Sequence, residues 1–310
     1  MSIVGSGIPT NRTNIQLPND VSAEILQKTQ AQSTVMQFAR QIALPGRGVQ
    51  IPVIAGDPEA AWVSETGVKP VSNPTLDKKI MQAHKLAVIV PFSDEFRRDA
   101  ASLYDALVAR LPGILAAKFD NTVFFGPSSG SLANFDNFSS VTAQALDAQS
   151  ATAYDGLVAA DIDISEEGGT VNGFVFSPQG RGILLGATDT TGRPLFINSA
   201  AEGAVNRILG APTYFTAAAY KEGSAAAGST AAVPDIVGFA GDWTKAMYGT
   251  VEGVQIAYSA DATLTYGEGT SASQINLFQQ NMFAVRAEIE VGFVAQTAYF
   301  NALKRTHTGA

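Results

Sequence analysis

Three short patterns in this 310-residue chain carry residue types that could do chemistry. Gly126-Pro127-Ser128-Ser129-Gly130 has the G-x-S-x-G spacing of a nucleophile elbow, where a sharp strand-to-helix turn exposes a serine hydroxyl. Such a serine needs a base to take its proton, and the only histidines are His84, in a strand-like stretch, and His307, in a polar tail. The flanks are also inverted: a helical period precedes Gly126, and SLANFDNF after it reads as loop. Gly267-Glu268-Gly269-Thr270-Ser271-Ala272 meets the G-x-G-x-x-A form, with Glu288 about 20 residues on, at the spacing of a ribose-binding carboxylate. Too little chain remains after it to complete a nucleotide-binding sheet, so it reads as a surface turn. Asp161-x-Asp163-x-Ser165 opens like a calcium loop, but Glu166 stands where glycine is required and Asn172 where the bidentate glutamate should be. It reads as a solvated helix end.

With no cysteine, thiolate metal sites, disulfides and cysteine nucleophiles are excluded. No catalytic residue, metal or cofactor is therefore expected; a serine hydrolase using Ser128 is the rival from another functional class. The formal net charge is −8, and Lys/Arg clusters never exceed a pair such as Lys78-Lys79 or Arg97-Arg98, which leaves out the electrostatic footprint of a nucleic-acid binder. No apolar run is long enough for a membrane span, and no basic-then-apolar leader opens the chain. At 46% hydrophobic and 15% charged, the chain can bury a sizeable core in one to three domains.

The most regular element that could position anything runs from residue 93 to 126. Leu103, Leu107, Leu111 and Leu115 fall four apart, and Tyr104, Val108 and Ile114 widen the stripe to that of a core-facing helix. Ser93, Asp94 and Glu95 supply a cap and an acidic first turn, so a short helix is expected to lead into a long one. The rod should be about 20 to 25 residues, roughly 30 to 37 Å, with a bend at Pro112. Its stripe should pack on residues 282–295, where Phe283, Val285, Ile289 and Val291 alternate with polar positions.

The remaining elements fall on either side of this rod. Residues 1–17 read as a tail, and Asn19 or Asp20 can cap a short amphipathic helix over 21–32. From 46 to 90 the pattern is strand and turn, ending in alternation that predicts one long strand through Ile80, His84 and Val90. Such a ribbon has no core of its own and must lie against another surface. Beyond the rod, a helix over 141–168, a buried strand over 174–178, a helix after 179 with a turn at Gly192, a low-complexity loop over 218–235 and further strands predict an α+β module.

AAWVSETGVKPVSNPTL, then HKLAVIVPFSDEFRRD, then a long helix ending in KFDNTVFFG resembles the major capsid proteins of tailed bacteriophages. GFVFSP (173–178), DTTGRPLF (189–196), ILGAP (208–212), GFAGDW (238–243) and FAVRAEIEVGF (283–293) follow in the family's order. The resemblance implies the capsid fold shared with encapsulins: an N-terminal arm (1–45), an extended β-ribbon (46–92), a spine helix with the peripheral domain (93–147), an axial domain (148–277), and a closing peripheral strand with the C-terminal tail (278–310). It implies a non-enzymatic shell subunit forming pentamers and hexamers around double-stranded DNA, without sequence-specific binding or membrane contact. Location would be the virion, with assembly in the host cytoplasm. Separate scaffold, maturation protease, portal and decoration proteins would be its partners; because the sequence begins directly with the arm, any scaffold is expected as its own chain. Trp62, Glu65, Lys69, Lys78, Lys79 and Pro112 are the expected assembly residues. Some members join a ribbon lysine to a neighbour's asparagine; Asn301 is near the last long strand, but no motif fixes such a pair. An encapsulin-like compartment is the alternative within the fold, disfavoured by the long arm.

Overall fold

The computed structural model describes residues 32–46, 48–56, 60–63, 68, 69, 71, 75–99, 101–128, 130–147, 153–188, 191–196, 207–225, 231–266 and 273–307. The expected helix over 21–32 lies outside them except for its last residue, as do Glu65, the 267–272 turn and the 226–230 loop tip.

A one-turn helix α1 (Thr34–Phe38) opens the described chain, its Met36 N–H donating to the Ser33 hydroxyl at 3.1 Å, and strand β1 (Arg40–Ala43) follows. Strands β2 (Val49–Gly56) and β3 (Thr75–Met81) pair antiparallel as a two-stranded ribbon, from Val49↔Met81 to Gly56↔Thr75. The long strand expected across 80–90 is instead two. After Gln82 and Ala83 the chain leaves the ribbon, and β4 (His84–Ser93) pairs along its whole length with the 14-residue strand β14 (described below). Alternation runs through the break because both strands alternate, although their partners differ.

Ser93 then accepts from the Phe96 N–H at 3.1 Å and opens α2 (Asp94–Asp99), which leads into the 25-residue α3 (Ala101–Phe125). The helix runs on through Pro112, which is buried. Beyond it come β5 (Ala143–Ala145), α4 (Ala153–Glu166), β6 (Gly173–Phe176), α5 (Pro178–Gly186), β7 (Arg207–Ile208), β8 (Ala211–Phe215) and β9 (Asp235–Gly241). The helix expected over 141–168 is thus a strand followed by a helix: Ala-rich β5 takes its conformation from parallel pairing with the last strand, not from propensity. Ser177 closes β6 and caps α5, accepting from Gly180 N–H at 3.1 Å, with Pro178 as first helical residue.

Strands β10 (Ala246–Thr250), β11 (Gln255–Ser259), β12 (Thr263–Tyr266), β13 (Ser273–Asn276), β14 (Met282–Ala295) and β15 (Phe300–Arg305) complete the chain. The span of β14 matches the expected 282–295, but β15 had no alternation to announce it.

Two sheets carry the fold. In the first, β14 is central: Val285 faces Val90 of β4 and Tyr258 of β11, one on each edge, while β10 pairs with residues 291–295 and carries β1 outside it. The second has the order β5-β15-β9-β6-β8-β7. Helix α3 spans two cores. Leu111 and Leu115 pack with Phe283, Val285 and Ile289, as the stripe predicted, and farther along Phe119, Val123 and Phe124 join Phe138, Phe239, Val291 and Phe293. Leu157 and Ile164 of α4 and Leu184 of α5 cover the second sheet through Phe174 and Phe176.

Candidate assembly surfaces

Trp62, Val68 and Val71, beyond the paired part of the ribbon, are 105%, 94% and 89% exposed. Fully burying one large apolar side chain is worth about 1.5–3 kcal/mol, so this group is energetically unfinished in a single subunit. Lys69 and Lys78 are also exposed.

Lys79 has a different position. Its ammonium donates to Asp136 Oδ2 at 2.8 Å and to the Ala295 carbonyl at 2.5 Å, within the same chain. Asp136 Oδ2 also accepts from the Ala295 N–H at 3.0 Å. Next along, Met81 is fully buried with Leu44 and Val294. Room for it comes from Gly249 and Gly292, register partners on β10 and β14; a Cβ on either would come within 2.9 Å of the Met81 side chain. Lys79 and Met81 together root the ribbon on β14.

The arm is rooted by a residue no motif marked. Asp120, on α3 and 1% exposed, accepts from Ser33 Oγ at 2.5 Å, Thr34 N–H at 2.8 Å and Val35 N–H at 3.3 Å. Burial pushes its carboxyl up, the three donors pull it down, and it settles at about 6. A second carboxylate, Asp235 on β9, is 1% exposed and accepts from Gly223 N–H (2.8 Å) and Arg305 Nε (2.9 Å), with His307 Nδ1 at 2.7 Å. Burial opposes its charge, but Gly223, His307 and Arg305 outweigh it and hold the carboxyl down at about 2. It fixes the end of β15 and the residues after it. Both carboxylates sit in stretches that read as ordinary helix and strand, with partners as far as 87 residues away, so their roles had no local signal.

The chemistry-bearing patterns find other work. Gly126 has φ +80° and its N–H donates to the Thr122 carbonyl at 2.9 Å, so it stops α3 rather than forming an elbow. Ser128 is exposed and accepts from Lys118 Nζ at 3.3 Å; His84 Nε2 lies 2.8 Å from the Ala133 carbonyl, and His307 is engaged by Asp235. Among the described residues, neither histidine pairs with Ser128. Asp163 accepts from Gln144 Nε2 at 2.5 Å and Asn301 Nδ2 at 3.0 Å, tying α4 to β5 and β15; it is a structural acceptor rather than a solvated end. Among the described residues, no three His, Cys, Asp or Glu group where they could hold a metal ion, and no helix is long and apolar enough to cross a membrane.

Relatives place this architecture. The chain is 28% identical over 276 residues to the probable major capsid protein gp17 of Mycobacterium phage D29, covering 84% of this chain and 80% of that one. It is 22% identical to the major capsid protein of Staphylococcus phage 80alpha, covering 89% and 80%. A solved structure from Microbacterium phage Oxtober96 superposes with a TM-score of 0.70 at 22% identity over 88% of this chain and 91% of that one; one from Gordonia phage Cozz gives 0.68 at 20% over 89% and 87%. The model of the phage capsid family matches residues 14–305, through the arm root, ribbon, spine helix and both sheets, and the chain belongs to that family.

Proposed function

We propose that this major capsid subunit closes, as pentamers and hexamers, into the icosahedral head enclosing the double-stranded DNA of a tailed phage. The observation that carries it is the ribbon, with Trp62, Val68 and Val71 almost wholly exposed on an element that has no core of its own. A neighbouring subunit supplies the missing burial, and many such contacts, each weak, add up in a closed shell. In this reading residues 1–45 are the arm, 46–92 the ribbon, 93–147 with 278–310 the peripheral domain and 148–277 the axial domain. Trp62, Glu65, Lys69 and Lys78 contact the neighbour, while Lys79 sets the ribbon's angle from within. The net charge of −8 suits a wall that encloses DNA without gripping it. The subunit is structural rather than catalytic, assembles in the host cytoplasm, and works with scaffold, protease, portal and decoration proteins.

Electron microscopy of the purified protein, with a check for nuclease-resistant DNA in particles from phage-producing cells, tests this. Shells or capsomer rings are expected in the first and DNA in the second. A clean monomer at high concentration overturns the shell, and shells that enclose an enzyme instead of DNA turn the reading into an encapsulin-like compartment.

A further inference from the structure

The helices over the second sheet differ in charge, while β15 under α4 carries Lys304 and Arg305, the latter paired with Asp235. Between Lys118 and Arg181 the chain contains no lysine or arginine, while α4 and the residue after it carry Asp155, Asp161, Asp163, Glu166 and Glu167. Tyr154 and Ile162, 45% and 51% exposed, lie eight apart on the outward stripe of this helix, with exposed Asp155 and Glu166 beside them. The helix dipole favours cations in a last turn, yet this one has none and ends in Glu166. Glu166 and Glu167 are therefore placed against local helix stability, whereas Asp155 in the first turn suits the dipole.

The opposite end of the same face is basic and apolar. Phe215 of β8 is 37% exposed and lies 6.4 Å from Phe176, under the α5 layer; Arg181 of α5 stacks over its ring at 5.7 Å. Arg207 of β7 is exposed, and Leu209 in the β7–β8 turn is 44% exposed. Helix α4 packs on β5, β15 and β9, whereas β8 and β7 end the strand order on the other side. The strand under α4 nearest to that side, β9, is three spacings, about 14 Å, from β7.

We propose that the Tyr154–Ile162 stripe of α4, with its carboxylates, seats against the Arg181, Arg207, Leu209 and Phe215 end of the next copy, head to tail. This rests on the shell reading and names the surfaces that pair within a capsomer. Unlike patches at opposite ends of one unit make a heterologous contact, which closes into rings. Arginine forks match carboxylates in two-point contacts, and the apolar side chains between them give the pair a dry centre. Opposite charge also rejects the head-to-head pairing, where acid would meet acid.

Charge reversal tests it. Glu166→Lys with Glu167→Lys alters one end, Arg181→Glu with Arg207→Glu the other, and a fourfold variant carries all four. Each single-end variant is expected to keep the far-UV dichroism and melting midpoint of the wild type while forming shells or rings about ten-fold less often in negative stain, since like charges then face each other. The fourfold variant, with the signs exchanged, is expected to regain most of the wild-type count. If Arg181→Glu unfolds the subunit by releasing Phe215, Arg207→Glu alone replaces it and is combined with Glu166→Lys. Single-end variants that assemble like wild type, whether the patches are bare or held by another protein, overturn the pairing alone. So does a fourfold variant that recovers nothing. A wild type that forms neither shells nor rings overturns the shell reading and the pairing with it.

Discussion

Lys79 Nζ lies 2.8 Å from Asp136 Oδ2, and this contact ties the ribbon strand β3 to the segment that follows the spine helix. Both side chains are about one-third exposed, so the ion pair alone contributes at most about 1 kcal/mol. Its importance is positional, because the same ammonium also holds the Ala295 carbonyl at the end of β14. Lys79→Met is expected to lower stability by about 1–2 kcal/mol, counting the lost charge-assisted bond to the carbonyl. Amide exchange in β2 and β3 should quicken while β14 stays protected. Unchanged exchange in β3 would remove Lys79 as the ribbon's pin.

Asp120 predicts a pH dependence. Its folded value of about 6 lies above the ordinary 3.8, so the folded chain binds the extra proton more readily than the unfolded one. The stability it contributes is fully present below about pH 4 and is lost as pH rises through 6. The shift of roughly two units corresponds to about 3 kcal/mol. Urea titrations of wild type and Asp120→Asn from pH 4 to 7 should give a difference that moves against the wild type by up to that amount. Asp235 stays out of this window, since its depressed carboxyl adds stability above pH 4 that is lost only as pH falls toward 2. A difference that is flat across pH would show that Asp120 does not titrate there.

These two carboxylates mark where sequence reading stops. Strand β14 and the Leu111–Leu115 stripe were legible because alternation and a four-residue period are properties of one segment. Asp120 and Asp235 depend on which distant donors the fold brings up, and one local sequence does not encode that. Strand β5 failed for a related reason, its alanines favouring helix until β15 supplied a parallel partner. The ribbon lysines looked equivalent in sequence, and only the glycine pair that admits Met81 determines that Lys79, two residues earlier, stands at the root.

For the ribbon tip, stability and assembly should separate. Trp62 is fully exposed in the subunit, so Trp62→Ala should change folding by no more than about 0.5 kcal/mol. Shell yield should nevertheless fall, as it should more severely on deletion of 57–75. Circular dichroism checks the first and electron microscopy the second. Normal shells from the deletion would sink the ribbon's role.

Covalent linkage through Asn301 is not expected. Its side chain is buried, and its amide donates to the Ala160 carbonyl at 3.2 Å and to Asp163 at 3.0 Å, which withdraws it from any neighbour's lysine. Mature particles should run on a denaturing gel as one band near 32.4 kDa. A ladder of oligomers would require a different asparagine as acceptor.

Pro112 lies between Leu111 and Leu115, in the stretch of α3 that packs into the first core, ahead of Phe119 and Val123 in the second. A mid-helix proline has no N–H to donate to the carbonyl four residues back and crowds that carbonyl, at a cost of up to about 3 kcal/mol. Gly113 follows it, and the side chain of Gln32 lies over that glycine, where a Cβ would meet Oε1 at 2.5 Å. The arm therefore crosses the spine at the position where its hydrogen bonding is weakest. Pro112→Ala restores a donor and should leave the subunit as stable or more so, while altering the angle between the peripheral sheet and the arm root. That angle is repeated in every copy of a shell, so a small change sums into curvature. Particle diameters from Pro112→Ala should be shifted or broadened relative to wild type in electron micrographs. A single population at the wild-type diameter would mean that the proline leaves curvature untouched.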